Sequence, residues 1–235
     1  MKTTNFLFDV DGTLTPARQP IVREFRIFFA KWIKTQRKNG NKVFLVTGSD
    51  RKKTIEQIGA ALWRLVDGAY QNCGNQLYKR GKLIKESTWQ ISANLRLEIL
   101  ELIEKSIWYG TAKNNIEERI GMANVSTIGR DCTQEQRKRY YAWDKKQLER
   151  LGIANVLRHK FNNIDVSIGG EVSIDVYQKG KDKSQILDDM DGFTVFMGDR
   201  CELGGNDHTI SIKANKFHHV TGWRHTYKIL DGYQL

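Results

Sequence analysis

The apolar run Phe6-Leu-Phe8 ends in the string Asp9-Val-Asp-Gly-Thr-Leu-Thr15. An unbroken apolar run of this length reads as a strand buried on both faces, which places it inside a parallel sheet. In open α/β sheets ligands bind beyond the carboxyl ends of the strands, so Asp9 and Asp11 arrive where chemistry is done. Two carboxylates at one strand tip repel unless a cation or a proton sits between them. Mg²⁺, which takes hard oxygen ligands, is the natural cation. A surface Asp-Gly turn is the plainer alternative for the same string.

The order of elements after this tip predicts an α/β core interrupted by an insert. Residues 20–38 carry Ile21, Phe25, Phe28, Phe29 and Trp32 at helical spacing, and Asn39-Gly40 offers a C-cap. Residues 42–46 form a second buried strand closing on Thr47-Gly-Ser-Asp50. Asp50 is placed to cap a helix with Ile55, Ile58, Leu62 and Leu65 inward. Strand, helix, strand, helix in this order implies right-handed parallel crossovers. The pattern then breaks. A hairpin is predicted over 77–84, turning at Arg80-Gly81. A helix over 93–108, strands over 116–120 and 122–127, a helix opened by the capping-box spacing Thr133-Gln-Glu-Gln136, and strands over 165–168 and 171–176 follow. Antiparallel strands with helices on one face make an α+β unit. The expected division is a core of residues 1–79 and 181–235 around an inserted domain of residues 80–180. The core resumes with a short helix over 182–189, a buried strand over 194–198 ending at Asp199, and short strands over 208–213 and 219–221.

Composition narrows the class. The 235 residues are 40% hydrophobic with two prolines, enough for an ordinary core without a disordered linker. The chain begins without a signal-peptide core, and no apolar run is long enough to span a membrane. Cys73, Cys132 and Cys201 lack metal-ligand spacing and read as free thiols of a cytoplasmic protein. The formal net charge is +11, yet the basic residues look scattered along the chain without interleaved aromatics. An anionic small substrate is therefore expected rather than nucleic acid, and no membrane partner is expected.

Two segments beyond the first tip point to chemistry. Ser49 and Thr47 follow a strand and precede a helix N-terminus, where N–H groups favour anions; a plain N-cap is the alternative. The segment Phe196-Met-Gly-Asp-Arg-Cys-Glu-Leu-Gly-Gly-Asn-Asp-His208 brings Asp199 and Asp207 after a further strand. Asp199 would complete an acidic Mg²⁺ site with Asp9, and Asp207 would support it from behind. His208 is expected to be structural.

Asp9-Val-Asp-Gly-Thr-Leu-Thr together with this segment resembles the haloacid dehalogenase superfamily. The resemblance implies Asp9 as nucleophile and Asp11 as general acid/base, whose backbone carbonyl also joins the metal. It implies Lys183 as the lysine that neutralises phosphate, with Thr47 and Ser49 binding it. It also implies a Rossmann-like core with a type-IIB cap. Within that superfamily the chain is similar to eukaryotic-type phosphomannomutases. Thr13-Leu-Thr-Pro-Ala-Arg18, Thr47-Gly-Ser-Asp50, Gly121-Met-Ala-Asn-Val-Ser-Thr-Ile-Gly-Arg130, Cys132-Thr-Gln-Glu-Gln-Arg137, Ser167-Ile-Gly-Gly-Glu-Val-Ser-Ile-Asp-Val176 and Gly204-Gly-Asn-Asp-His208 carry the likeness. It implies that Arg119, Arg130 and Arg137 hold the phosphate not being transferred, that Ser173 and Asp175 bind sugar hydroxyls or that same phosphate, and that Arg18 lies beside the catalytic loop. Pairing of these arginines with Asp131 or Glu135 is the structural alternative. The implied activity interconverts mannose 6-phosphate and mannose 1-phosphate, with Mg²⁺ and a hexose 1,6-bisphosphate activator, in a homodimer formed through the cap. Thr47 stands where that family usually has glycine. A phosphatase of the same fold, acting on sugar phosphates or nucleotides, is the alternative function.

Overall fold

The computed structural model describes residues 3–108 and 113–232. In chain order, β1 (Thr4–Phe8), α1 (Arg23–Lys38), β2 (Lys42–Val46), α2 (Arg51–Ile58), α3 (Ala60–Leu65), β3 (Gly68–Gln71), β4 (Gln76–Lys79) and β5 (Lys82–Glu86) come first. They are followed by α4 (Ala93–Glu104), β6 (Ile116–Arg119), β7 (Met122–Ser126), α5 (Gln134–Gln147), α6 (Glu149–Lys160), β8 (Ile164–Gly169) and β9 (Ser173–Gln178). A 3-10 helix (Lys183–Asp189), β10 (Phe193–Gly198), α7 (His208–Lys213), β11 (Lys216–His219) and α8 (Trp223–Asp231) complete the described chain. Two compact units result: Met1–Glu86 with Lys183–Leu203 and Asp207–Leu235, and Ser87–Asp182 with Gly204–Asn206.

The first unit is built on a seven-stranded sheet in the order β11-β10-β1-β2-β3-β4-β5. The strands from β11 to β3 are parallel, and β4 and β5 add an antiparallel edge. β1 is buried because the apolar stripe of α1 lies across it: Phe6 and Phe8 meet Trp32 edge to face at 4.9 and 5.7 Å. β10 lies against β1 and β2 on its other side, so the tips carrying Asp9, Thr47 and Asp199 are neighbours in one sheet.

The second unit has a four-stranded antiparallel sheet, β6-β7-β9-β8. Leu95, Ile99 and Ile103 of α4 and Ile153 and Leu157 of α6 share a core with Val125, Val166, Ile174 and Val176 of its strands. The capping box forms as its spacing predicts, with Thr133 Oγ1 accepting from Gln136 N and Gln136 Oε1 from Thr133 N. Arg150 is buried at the start of α6. Its guanidinium pairs with Asp144 at 2.7 Å and donates to the carbonyls of Gly169, Gly170 and Ser173.

The structure departs from the sequence expectations at several points. The hairpin turns at Arg80-Gly81, both at positive φ, but β5 pairs in the large sheet. The first unit therefore runs through Glu86 rather than stopping at residue 79. The helix after Asp50 is broken at Gly59, whose φ of +83° interrupts the ladder between α2 and α3. The helix expected over 93–108 ends at Glu104. Residues 208–213 form a helix, not a strand; Ile210 is buried whereas Ile212 is exposed, so their alternation is not the alternation of a sheet face. The last strand lies at Lys216–His219 instead of 219–221. Helices α6 and α8 had no counterpart in the sequence reading.

Arg150→Met would leave the Asp144 carboxylate buried without its partner. Loss of about 3–5 kcal/mol is expected, read as a lower urea midpoint; an unchanged midpoint would show that the pair is not needed.

Candidate active site

The tips of β1 and β10 deliver one carboxylate each, Asp9 and Asp199. The Asp199 backbone also leads into a loop whose return places Asp207 beside them. Carboxylate oxygens of Asp9, Asp199 and Asp207 all lie within 4.8 Å of one another. Gly12 allows this approach. Its φ is +84°, and a Cβ there would stand 2.4 Å from Asp199 Oδ2. Lys183, the first residue of the 3-10 helix, donates to Asp9 Oδ1 and to Asp207 Oδ1, each at 2.6 Å. All three of these side chains are buried, Lys183 and Asp207 almost completely.

One ammonium among three carboxylates leaves the cluster short of positive charge. Burial, opposed by Lys183 and reinforced by Asp207, pushes Asp9 up to about 7. Burial and then the Asp9 and Asp207 charges push Asp199 up to about 8. Burial lowers Lys183, but Asp207 and Asp9 outweigh it and hold the ammonium charged, well above the ordinary lysine value. Asp207 has both oxygens engaged by protein donors, Lys183 on Oδ1 and the Arg200 N–H on Oδ2 at 3.1 Å. That arrangement orients Lys183 and suits a supporting role.

Asp11 does not turn its side chain into this cluster. Its carboxylate accepts from the Arg18 N–H at 2.6 Å, Lys53 Nζ at 2.8 Å and Gln57 Nε2 at 2.8 Å. Burial raises this carboxyl, but Lys53 and the three hydrogen bonds prevail and hold it below the usual range. Arg18 adopts φ +57° and contributes its backbone to this loop. Lys53 and Gln57 were not singled out in the sequence. They lie one turn apart on α2, and this i, i+4 spacing after the Asp50 cap was the available signal.

Thr47 and Ser49 lie just past the tip of β2, and both are buried. Ser49 N donates to Thr47 Oγ1 at 3.1 Å, which curls the loop. The segment 72–73 braces it from below. Cys73 N reaches Thr47 O and Asn72 N reaches Ser49 O, with both residues at positive φ. Gln185 of the 3-10 helix donates to Cys73 O, tying the Thr47 loop to the element that carries Lys183. Thr226 of α8 donates to the Thr13 carbonyl at 2.8 Å and steadies the loop after Asp11. His208 Nδ1 lies 3.0 Å from the Cys201 carbonyl, in keeping with a structural role.

Within the second unit the expected arginines gather near one another. Arg119 and Arg130 both pair with Glu117 Oε2, Arg119 at 2.6 Å. Arg130 also donates to Asn124 Oδ1, and Asn124 donates to Asp175 Oδ1 at 2.6 Å. Arg137 is buried, with its Nε 3.4 Å from Glu171 Oε2. Burial lowers Arg130, Glu117 raises it, and Arg119 and Arg137 lower it further, for a net fall. Among the described residues Arg119 and Arg130 thus pair with Glu117 and Arg137 with Glu171, whereas the structural alternative expects Asp131 or Glu135. Ser173 donates to the Gly169 carbonyl at 3.2 Å. A Cβ at Gly169 would stand 2.7 Å from Asp175 Oδ2, so glycine makes room for that carboxylate.

Comparisons with known proteins bear on the fold and on the family. The fold is that of an IMP-nucleotidase from Plasmodium falciparum, with a TM-score of 0.61, 15% identity, and coverage of 97% of this chain and 67% of that one. It is also that of a sugar phosphatase of haloacid dehalogenase subclass IIB, with a TM-score of 0.57, 16% identity, and coverage of 97% and 98%. Sequence similarity is closer elsewhere. A phosphomannomutase of Glycine max is 38% identical over 87% of this chain and 85% of its own length. One of Galdieria sulphuraria is 34% identical over 94% and 91%. A family model described as eukaryotic phosphomannomutase matches residues 29–233. The chain belongs to the eukaryotic phosphomannomutase family.

Proposed function

We propose that this protein is a phosphomannomutase, interconverting mannose 6-phosphate and mannose 1-phosphate. The observation that carries the reading is one chain holding both an acid cluster around Asp9 and a separate arginine cluster, in a member of that family. A phosphatase requires one phosphate site; a mutase requires a second for the phosphate that is not reacting.

Asp9 would attack phosphorus in line and form an acyl phosphate. Asp11, ionised at rest, would take the proton from the hydroxyl that accepts the phosphoryl group and then return it to the departing sugar oxygen. Lys183 would balance the charge of the transferring group, and Thr47 and Ser49 would hydrogen-bond its oxygens. Arg119, Arg130 and Arg137 would hold the other phosphate through paired guanidinium donors. Ser173 and Asp175 would meet sugar hydroxyls or that phosphate, and Arg18 would border the catalytic loop. A hexose 1,6-bisphosphate would be the intermediate and activator. The assembly we propose is a homodimer through the second unit, where Leu97 and Leu100 of α4 are exposed. The location we propose is the cytoplasm, where the three cysteines would stay reduced.

The donor set also fits Mg²⁺. Crowded, partly desolvated carboxylate oxygens short of positive charge are the ligands this hard cation takes. Asp9 and Asp199 would hold it with the Asp11 carbonyl, and Asp207 would support them. When bound, Mg²⁺ supplies neutralisation of the phosphoryl oxygens.

Three outcomes are expected. Incubation with mannose 1-phosphate, Mg²⁺ and a trace of hexose bisphosphate should accumulate mannose 6-phosphate; inorganic phosphate as the main product would identify a phosphatase. Arg137→Ala should raise KM for the hexose phosphate roughly tenfold or more, with little change toward a small phosphate ester. Equal losses on both substrates would remove Arg137 as an anchor.

The third outcome concerns pH. Asp9 and Asp199 titrate above the unfolded carboxylate value of about 4. Between about pH 4 and 8 the folded protein therefore keeps protons that the unfolded chain has released, and stability without divalent cation falls as pH rises. Mg²⁺ should raise the melting temperature more at about pH 8 than at about pH 5. An equal effect at both would contradict the assignment of these oxygens.

A further inference from the structure

The positive charge is concentrated rather than scattered. Residues 18–53 carry eleven lysines and arginines against two carboxylates, a net +9 of the chain's +11. Among these cations, Arg37 pairs with Asp67, Lys53 with Asp11, and Arg51 stacks over Trp63 and Tyr78. Arg23, Arg26, Lys31, Lys34 and Lys38 on α1 are exposed and make no ion pair among the described residues. At 3.6 residues per turn they fall within an arc of roughly 140°, on a stripe about 22 Å long. Phe25, Phe29, Trp32 and Ile33 occupy the opposite, buried face.

The stripe works against the helix that carries it. Arg23 with Arg26, Lys31 with Lys34, and Lys34 with Lys38 are like charges at i, i+3 or i, i+4, which repel. Arg23 and Arg26 sit in the first turns, where the helix dipole disfavours cations, and Glu24 is the only acid of α1. The helix is held by its buried apolar face, with Arg37 pairing to Asp67 near its C-terminal end. These cations have no part in the acid cluster or in the arginine cluster of the second unit.

We propose that the exposed face of α1 binds the phosphodiester backbone of nucleic acid, without regard to sequence. A row of unpaired cations along one helix suits a row of phosphates, and association would be driven by counterion release. An anionic membrane suits it less. An interfacial helix needs an apolar face to insert, and that of α1 is locked against Phe6 and Phe8, leaving Ile27 as the one large exposed apolar side chain of the helix. This proposal is independent of the mutase reading.

The test is fluorescence anisotropy with labelled DNA and RNA duplexes of mixed sequence, across a range of salt. Binding of both is expected, with log K falling against log salt at a slope of about 4–5 in magnitude, from roughly five phosphates neutralised. Removing four charges from α1 (Arg23→Gln, Arg26→Gln, Lys31→Gln, Lys34→Gln) should weaken binding at least tenfold and flatten that slope, with turnover of hexose phosphate unchanged. Removing four from the exposed face of α5 (Lys138→Gln, Arg139→Gln, Lys145→Gln, Lys146→Gln) should leave binding within about twofold. Equal weakening by both variants would reduce the effect to net charge and overturn the proposal. So would absence of binding to either duplex, or binding to phosphatidylserine vesicles alone.

Discussion

The buried contact of Lys183 with Asp9 and Asp207 is the interaction on which the chemistry we propose for the first unit would depend. It joins a residue after β1, a residue after the loop from β10 and the start of a 3-10 helix, which are far apart in the chain. Buried ion pairs seldom repay their desolvation, and an apolar cluster of the same volume often folds as well or better. Here the arrangement is also unbalanced, with Asp199 adding a further negative charge. Such a cluster is weak evidence of a device for stability, and it fits the binding and transfer we propose for it. The sheet supplies the rigidity: β1 lies between β10 and β2, and the adjacent aromatic layer fixes β1.

The second unit repeats the logic with opposite sign. Arg119 and Arg137 are close enough to Arg130 to weaken its hold on its proton, and Glu117 pairs with both Arg119 and Arg130. Glu117 is thus an internal anion at the place where we propose that the second phosphate of the substrate would sit. Asn124 continues the network to Asp175, so the residues expected to meet phosphate and those expected to meet hydroxyls are mechanically linked. Glu117, Asn124 and Asp175 stand opposite one another on three neighbouring strands, β6, β7 and β9, which holds this linkage in register.

Much of this was legible in the sequence, and the failures have physical causes. β1, β2 and β10 are apolar on both faces and end at acids or hydroxyls, so strand, tip and site were visible together. Helix α6 was missed because a core position is filled by Arg150, which reads as surface until Asp144 and three carbonyls accept it. Ile210 and Ile212 mimic a strand, whereas one turn of helix buries only the first. The side chain of Asp11 was expected beside Asp9; it turns instead to Lys53 and Gln57, a long-range contact that spacing within its own segment could not reveal. The clustering of positive charge over residues 18–53 is countable in the sequence, and helical phase confines its α1 portion to one arc opposite the buried face.

The central claim is that Asp9 carries the phosphoryl group, and trapping that group tests it most directly. The protein would be incubated with Mg²⁺ and hexose bisphosphate bearing ³²P, quenched in acid, digested and mapped by mass. Label confined to the peptide that contains Asp9, and lost in Asp9→Asn, is the expected result. Label on another residue, or label persisting in Asp9→Asn, would contradict it.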